Sequence, residues 1–429
     1  MVASEQKTMT GAADLEEFRR EARLWIRANL EPKTEASVRT APRTDTKTAD
    51  EIAENRQRQG RLHEGGFAGI SFPTEYGGRG LTHEHERVFK EEAAHYVTPD
   101  LGGAYAMTLG PIARSMMTHA SETMCRRHIP KMLSGEEIWC QFYSEPEAGS
   151  DLAGIRTAAI RDGEQWVING SKIWTTGAYY SDWAMCLART DWDVPKHRGL
   201  TWFAIPTSAR GVTIHQIPQI DGNAGFCQEF LDDVIVPAEH VFGAVNDGWT
   251  VAQTMLVYER GGGTPMTVGL APGERTLAPD LVDLLRGAGR DQDPVARQAV
   301  ARAHIDDYAL AHLGRRLSRR LAATETPNPA VAAYGKLASG TYAPIRARIA
   351  IEIGGPMALS WRQGQDGANE TALNYLNGRL VAIASGTNEM QRNGIGERVL
   401  GLPREPTFDS RKPFSEVVRA ARNWDGRVG

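Results

Sequence analysis

Residues 144–176 read SEPEAGSDLAGIRTAAIRDGEQWVINGSKIWTT. The stretch opens on a turn of small residues, Glu145-Pro146-Glu147-Ala148-Gly149-Ser150-Asp151. Small residues leave backbone N–H groups open to a bound molecule. It closes on a strand-like edge, Trp174-Thr175-Thr176, which presents an aromatic plane beside two hydroxyls. The pairing suits a flat, hydrogen-bonding cofactor such as a flavin, held between two layers.

Outward from this stretch the pattern is short alternating runs. Trp166-Val167-Ile168, Trp183–Ala188, Thr201–Ile205 and Val212–Ile214 are separated by Asp162-Gly163, Asn169-Gly170 and Arg210-Gly211, read as turns. Phe230–Pro237 closes the series. Alternation punctuated by turn residues predicts an antiparallel β module over 136–242. Upstream, 1–135 reads as helical. Leu15, Phe18, Ala22, Trp25 and Ile26 fall at helical spacing, and further helices are expected at 49–64, 83–97, 103–119 and 121–134. Downstream, 243–403 reads as a helical bundle, with segments near 247–269, 294–323, 329–354 and 371–400. The tail, 404–429, is polar and expected to be extended. The fold class is therefore α+β: an N-terminal helical domain, a middle antiparallel β-barrel or sandwich, and a C-terminal four-helix bundle.

Composition narrows the function classes. The chain has 429 residues, 24% charged and 41% hydrophobic, with a formal net charge of −4. That balance is ordinary for a globular protein and does not favour nucleic acid. No run is apolar and long enough to span a bilayer, and the first residues carry no secretory or transit pattern. A cytoplasmic enzyme is expected. Cys125, Cys140, Cys186 and Cys227 lack metal or redox spacing and read as buried apolar residues. No metal site is expected among the eleven histidines, and His83 and His85 read as surface residues.

Five motifs in order resemble the acyl-CoA dehydrogenase family. They are SEPEAGSD (144–151), NGSKIWTT (169–176), GWTVAQTMLVYERG (248–261), IEIGGP (351–356) and SGTNEMQRNGIGERVLGLP (385–403). The likeness runs from about residue 14 to 403. It implies FAD between the β module and the C-terminal helices, in a homodimer, homotetramer or heterotetramer with a related chain, and electron-transferring flavoprotein as electron acceptor. Residue by residue, it implies that Gln141, Tyr143 and Ser144 lie along the flavin and that Gly149 and Ser150 meet the ligand-side backbone. Trp174 would pack on the ring, with Thr175 or Thr176 donating to it. Gly386, Thr387, Asn388 and Glu389 would contact the adenine-nucleotide side, and Gly354-Gly355 the FAD of a neighbouring subunit. Arg286 and Arg290 compete for the pyrophosphate, because RGAGRDQDP departs from the family's usual pattern.

Desaturation of an acyl thioester needs a base for the Cα proton and an acceptor for the Cβ hydride. The Cα–H is a weak acid, so the carbonyl must be polarised and the base desolvated. Many family members place a Glu just before the late Gly-Thr; here that position is Ser385. Another set places it on the helix after the β module, where this chain reads Tyr258-Glu259-Arg260. Glu259 is thus the expected base, Arg260 tunes the site, and the Ser385 N–H serves the acyl-CoA carbonyl. Small Ser385, with Gly261-Gly262-Gly263 nearby, suggests room for a branched, long or ring-bearing acyl group. Two other readings keep the scaffold: a flavin monooxygenase or oxidase, and an assisting subunit of a heterotetrameric dehydrogenase. Lys196-His197-Arg198-Gly199 is a candidate for the CoA phosphates, whereas Arg315, Arg316, Arg319 and Arg320 read as a solvated helix face.

Overall fold

A computed structural model describes residues 12–34, 46–259, 279–322, 331–360, 370–407 and 409–423. Arg260 and Gly261-Gly262-Gly263 lie outside the described residues.

The N-terminal part is α1 (Ala12–Asn29), α2 (Ala49–Glu64), α3 (His83–Ala93), α4 (Gly102–Met107), α5 (Ala113–His119) and α6 (Glu122–Ser134). The apolar stripe of α1 behaves as its spacing requires: Phe18, Ala22 and Ile26 are buried. Thr48 and Glu51 cap α2 reciprocally, each side chain taking the other's backbone N–H. Between α4 and α5 the chain widens into a π segment, Thr108–Ile112, which accommodates Pro111. Thr108, fully buried there, donates to Trp139 O at 3.0 Å and accepts from Trp139 N at 2.8 Å, so it pins the first strand to the helices.

The middle part is one eight-stranded sheet: β1 (Trp139–Phe142), β2 (Ala158–Asp162), β3 (Gln165–Thr176), β4 (Trp183–Arg189), β5 (Leu200–Pro206), β6 (Val212–Gln216), β7 (Phe226–Pro237) and β8 (Val241–Phe242). The order is β6-β7-β3-β2-β4-β5-β8, with β1 on β4. The sheet is mixed rather than antiparallel throughout. β1 runs parallel to β4 from Trp139↔Trp183 to Phe142↔Cys186, and Ala158↔Arg189 is a second parallel pair. The reason is connection length: β1 reaches β4 across the whole β2–β3 hairpin, and only adjacent strands joined by a tight turn are forced antiparallel.

Asn169-Gly170 is not a turn. It lies inside β3 as a bulge, where the register against β7 slips between Ile168 and Gly170. A Cβ on Gly170 would stand 2.3 Å from Thr157 Oγ1, so only glycine lets the backbones approach. Both faces of β4 and β5 are covered. Met185, Leu187, Trp202 and Ala204 pack toward the N-terminal helices, and Ala184, Cys186, Phe203 and Ile205 toward the opposite core. Strands buried on both faces read as continuous apolar runs, as these do. All four cysteines are buried and free.

The C-terminal part comprises α7 (Gly248–Glu259), α8 (Pro279–Gly287), α9 (Pro294–Ala322), α10 (Ala332–Gly354), α11 (Pro356–Leu359), α12 (Glu370–Asn377), α13 (Leu380–Ile383), α14 (Asn388–Arg398) and α15 (Phe414–Arg422). α10 is central and packs against α8, α9, α12, α13 and α14. Three further sequence expectations are corrected. The segment 371–400 is three helices, because Gly378 and the Ser385-Gly386 turn, with φ of 56° and 91°, interrupt it. The tail is not wholly extended, since α15 folds onto the sheet. His85 is buried rather than on the surface: its ring packs edge-on against Phe18, with Nε2 3.4 Å from Asp14. Among the described residues, no helix is long and apolar enough to cross a membrane.

Candidate active site

α7 carries Glu259 at its last turn. Its start is fixed to the sheet, where Gly248 O accepts from Trp202 Nε1 at 2.8 Å. Its middle is held by His119 against Thr254 at 2.8 Å and by Tyr143 Oη donating to Ala252 O at 3.4 Å. Glu259 is half-buried, and the Ser385 hydroxyl donates to its Oε1. These two residues stand 126 positions apart, and the fold brings them together.

Ser385 occupies the left-handed region at φ 56°, which strains a residue with a Cβ. The turn is secured from below by Gln391, 2% exposed, whose amide donates to Ser385 O at 3.3 Å and Gly386 O at 3.0 Å. Thr387 caps α14, accepting from Met390 N at 3.3 Å. From the other side α10 presses in at Gly340, where a Cβ would lie 2.3 Å from Asn388 Oδ1. Glu389 is exposed beside Arg392.

The second group lies on the sheet. Gln141 and Tyr143 share the parity of Trp139 and face the N-terminal helices and α7. Ser144 O accepts from Ile173 N at 2.9 Å, and Glu145 and Ala148 exchange backbone bonds that tighten the turn before Gly149 and Ser150, both exposed. Trp174 is a bulge residue at φ 68° with 57% of its surface exposed. Thr175 turns inward and donates to Glu229 Oε2 at 2.9 Å and Gln141 O at 3.3 Å. Thr176 shares the outward parity of Trp174. These residues fit a flat polar ring. Gln141 Nε2 is buried without a hydrogen-bond partner, Trp174 is an uncovered aromatic plane, and the space beside Gly149 is open.

The third group joins Arg290 to Gly354-Gly355. Arg290 donates to Glu352 O at 2.5 Å and Ile353 O at 3.1 Å and pairs with Asp293 at 2.5 Å. Arg286 instead is exposed, 3.9 Å from Asp283. The fold therefore separates the two competing arginines.

Several residues escaped sequence reasoning. Lys172 is fully buried, and its ammonium donates to Leu187 O at 2.7 Å, Glu145 Oε1 at 2.8 Å and Tyr143 O at 3.1 Å. All three of its protons are thus placed. Burial raises the Glu145 pKa, but Lys172 and the Thr157 and Arg156 bonds outweigh this and leave it lowered. Glu229 is the opposite case. Burial pushes its carboxyl up to about 7, against the Thr175 bond and the Lys172 charge, and its Oε1 has no hydrogen-bond partner. It shares the inward parity of Cys227 and Leu231, so strict alternation marks it. Nothing in the local sequence marks Lys172 or Gln391.

The acyl-CoA dehydrogenase family's N-terminal domain profile matches residues 12–136, its middle domain 140–234 and its C-terminal domain 246–400. This chain belongs to the acyl-CoA dehydrogenase family. As a member it is an oxidoreductase, and membership implies a flavin cofactor. Acyl-CoA dehydrogenase IpdE1 of Mycobacterium tuberculosis is 36% identical over 398 residues, covering 91% of this chain and 99% of that protein. Among solved structures, the Tcur3481-Tcur3483 steroid ACAD aligns with a TM-score of 0.73 and 27% identity, covering 92% of this chain and 99% of that one. The ChsE4-ChsE5 complex from Mycobacterium tuberculosis aligns at 0.69 and 26%, covering 94% and 100%.

One candidate is corrected at this acyl-CoA dehydrogenase site. Lys196 is not an open phosphate ligand: it is buried between Asp151 at 2.9 Å and Asp409 at 2.6 Å. Two carboxylates already neutralise its charge.

Proposed function

We propose that this acyl-CoA dehydrogenase family member desaturates the α,β bond of a bulky, branched or long acyl-CoA to the trans-2-enoyl-CoA, with Glu259 as the α-proton base and FAD as cofactor. The observation that carries the reading is the Ser385–Glu259 hydrogen bond. It brings the carboxylate of α7 to the turn where many relatives hold theirs. The hydroxyl restricts the carboxylate to one orientation, and the Ser385 N–H is a donor for the thioester carbonyl. Proton removal is eased because polarising the carbonyl lowers the barrier to the enolate. Gln141, Tyr143, Ser144, Gly149, Trp174 and Thr176 would hold the isoalloxazine, Ser150 the substrate, and Gly386, Thr387 and Glu389 the nucleotide side. Arg290 is engaged by Asp293 and by the Glu352 and Ile353 carbonyls while Arg286 is exposed, so both stay candidates for the pyrophosphate. When bound, the flavin supplies the acceptor for the Cβ hydride. Electron-transferring flavoprotein is the proposed acceptor that reoxidises it.

A small residue at 385 leaves volume where a Glu side chain would stand. The likeness to a protein described as a steroid ACAD supports a ring-bearing acyl group. Likeness to a two-chain complex also supports a second reading, in which this chain shares its site with a related subunit. Glu259→Gln tests the chemistry. Flavin content and folding are expected to remain while anaerobic flavin bleaching by acyl-CoA slows by about 10²–10⁴-fold. Bleaching at the original rate would remove Glu259 from the role.

A further inference from the structure

We propose that the C-terminal segment Asp409–Arg422, which lies beyond the family's C-terminal domain match ending at residue 400, is a positioning element for the acyl-CoA loop Glu145–Ile155. This deepens the function proposed above and rests on it for the role of that loop.

The segment is built onto the β4–β5 connection, residues 190–199. The first N–H groups of α15, which no helix can satisfy internally, are taken by that connection: Phe414 N donates to Val194 O at 2.9 Å and Ser415 N to Trp192 O at 2.8 Å. Ser415 Oγ donates to Asp193 at 2.8 Å. Phe414 and Val418 are buried, and the Phe414 ring stacks with Trp192 at 5.7 Å.

Beneath Phe414 lies Arg189, fully buried, whose guanidinium sits 3.8 Å from the ring centre. It donates to Ala153 O at 2.6 Å, Ile155 O at 3.1 Å and Lys196 O at 3.2 Å. One side chain thus ties the end of the acyl-CoA loop to the connection, and a ring from the tail covers it. Lys196 supplies a second tie, since its ammonium bridges Asp409 of the tail and Asp151 of the loop, next to Ser150. A third runs to α7. His197 packs edge-on against Trp249 at 4.8 Å, on the helix that ends in Glu259. The first two ties converge on the loop, which a segment added only for packing does not require. Asp409 and Phe414 act through Lys196 and Arg189 and are positioning residues.

The test uses the full-length protein with Asp409→Asn, Phe414→Ala and Asp409→Glu. Hydrogen exchange of residues 147–156 is expected to quicken by about tenfold in the first two, with α1 unchanged and Asp409→Glu restoring protection. The dissociation constant for coenzyme A, used as the probe, is expected to rise three- to tenfold with flavin content retained. Loop exchange equal to the unsubstituted protein's, while α15 itself exchanges freely, would overturn the proposal. So would faster loop exchange with unchanged coenzyme A affinity, which reduces the segment to packing. If the unsubstituted protein binds no coenzyme A, the proposed function fails, and the exchange arm alone decides whether tail and loop are coupled.

Discussion

The sheet and the C-terminal helices solve burial differently. Every residue from Ala184 to Arg189 and from Leu200 to Ile205 is buried, and the sheet even encloses a lysine with its hydrogen bonds complete. The C-terminal part beyond α8 leaves large apolar side chains uncovered. Ile305, Met357, Leu359, Ile383, Leu400 and Leu402 are each more than half exposed. β4 and β5 are covered by the N-terminal helices on one face and by the sheet's own outer strands on the other, whereas those outer strands (Ile160, Ile235) and the C-terminal part present apolar surface of the kind a partner chain covers. The candidate residues come from both regimes, Trp174 from β3 and Ser385 from the turn before α14.

The sharpest way to break the contrast is Lys172→Met. It leaves Glu145 buried without its cation, and the expected loss is about 3–5 kcal/mol in urea denaturation. A loss below 1 kcal/mol would mean the sheet does not depend on its ions. Next comes Glu229→Gln. The Glu229 pKa is raised in the folded protein from the ordinary 4.5 to about 7. Below 4.5 the group is protonated in both states. As pH rises to 7 the unfolded chain releases its proton first, so the native protein loses up to about 3 kcal/mol, in full above 7. The variant is therefore expected to gain on the unsubstituted protein between pH 5 and 8, read from paired melting curves; parallel curves would refute it. The smallest effect on the chain itself is expected for Ile383→Ser with Leu402→Ser, within about 0.5 kcal/mol each. Their effect belongs to assembly: a lower sedimenting mass is expected. An unchanged mass, or a large loss of stability, would show these side chains are not interface residues.

Legibility followed the range of the interaction. The stripe of α1 obeys helical periodicity, the apolar runs of β4 and β5 mark strands buried on both faces, and the cysteines lack metal or redox spacing; each signal lies in neighbouring residues. Asn169-Gly170 misleads because a turn and a bulge use the same residues; what separates them is Thr157, pressed against Gly170 from another strand. The tail misleads because its helix draws its stability from Trp192 and Arg189, more than 200 positions away. The position of Glu259 on the helix after the sheet was legible through the motif that carries it, but its hydrogen bond with Ser385 was not.

The sequence by itself determined the three-part order, the strand and helix periods, the family and the carboxylate on α7, since each is written in neighbouring residues. Only the tertiary structure decided that Ser385 meets Glu259, that Arg290 rather than Arg286 meets the Glu352 and Ile353 carbonyls, that Lys172 is buried with three acceptors, and that Lys196 bridges Asp409 of the tail and Asp151. These depend on contacts between distant segments, and a short-range force acts only on groups that the whole fold has already brought within a few ångströms.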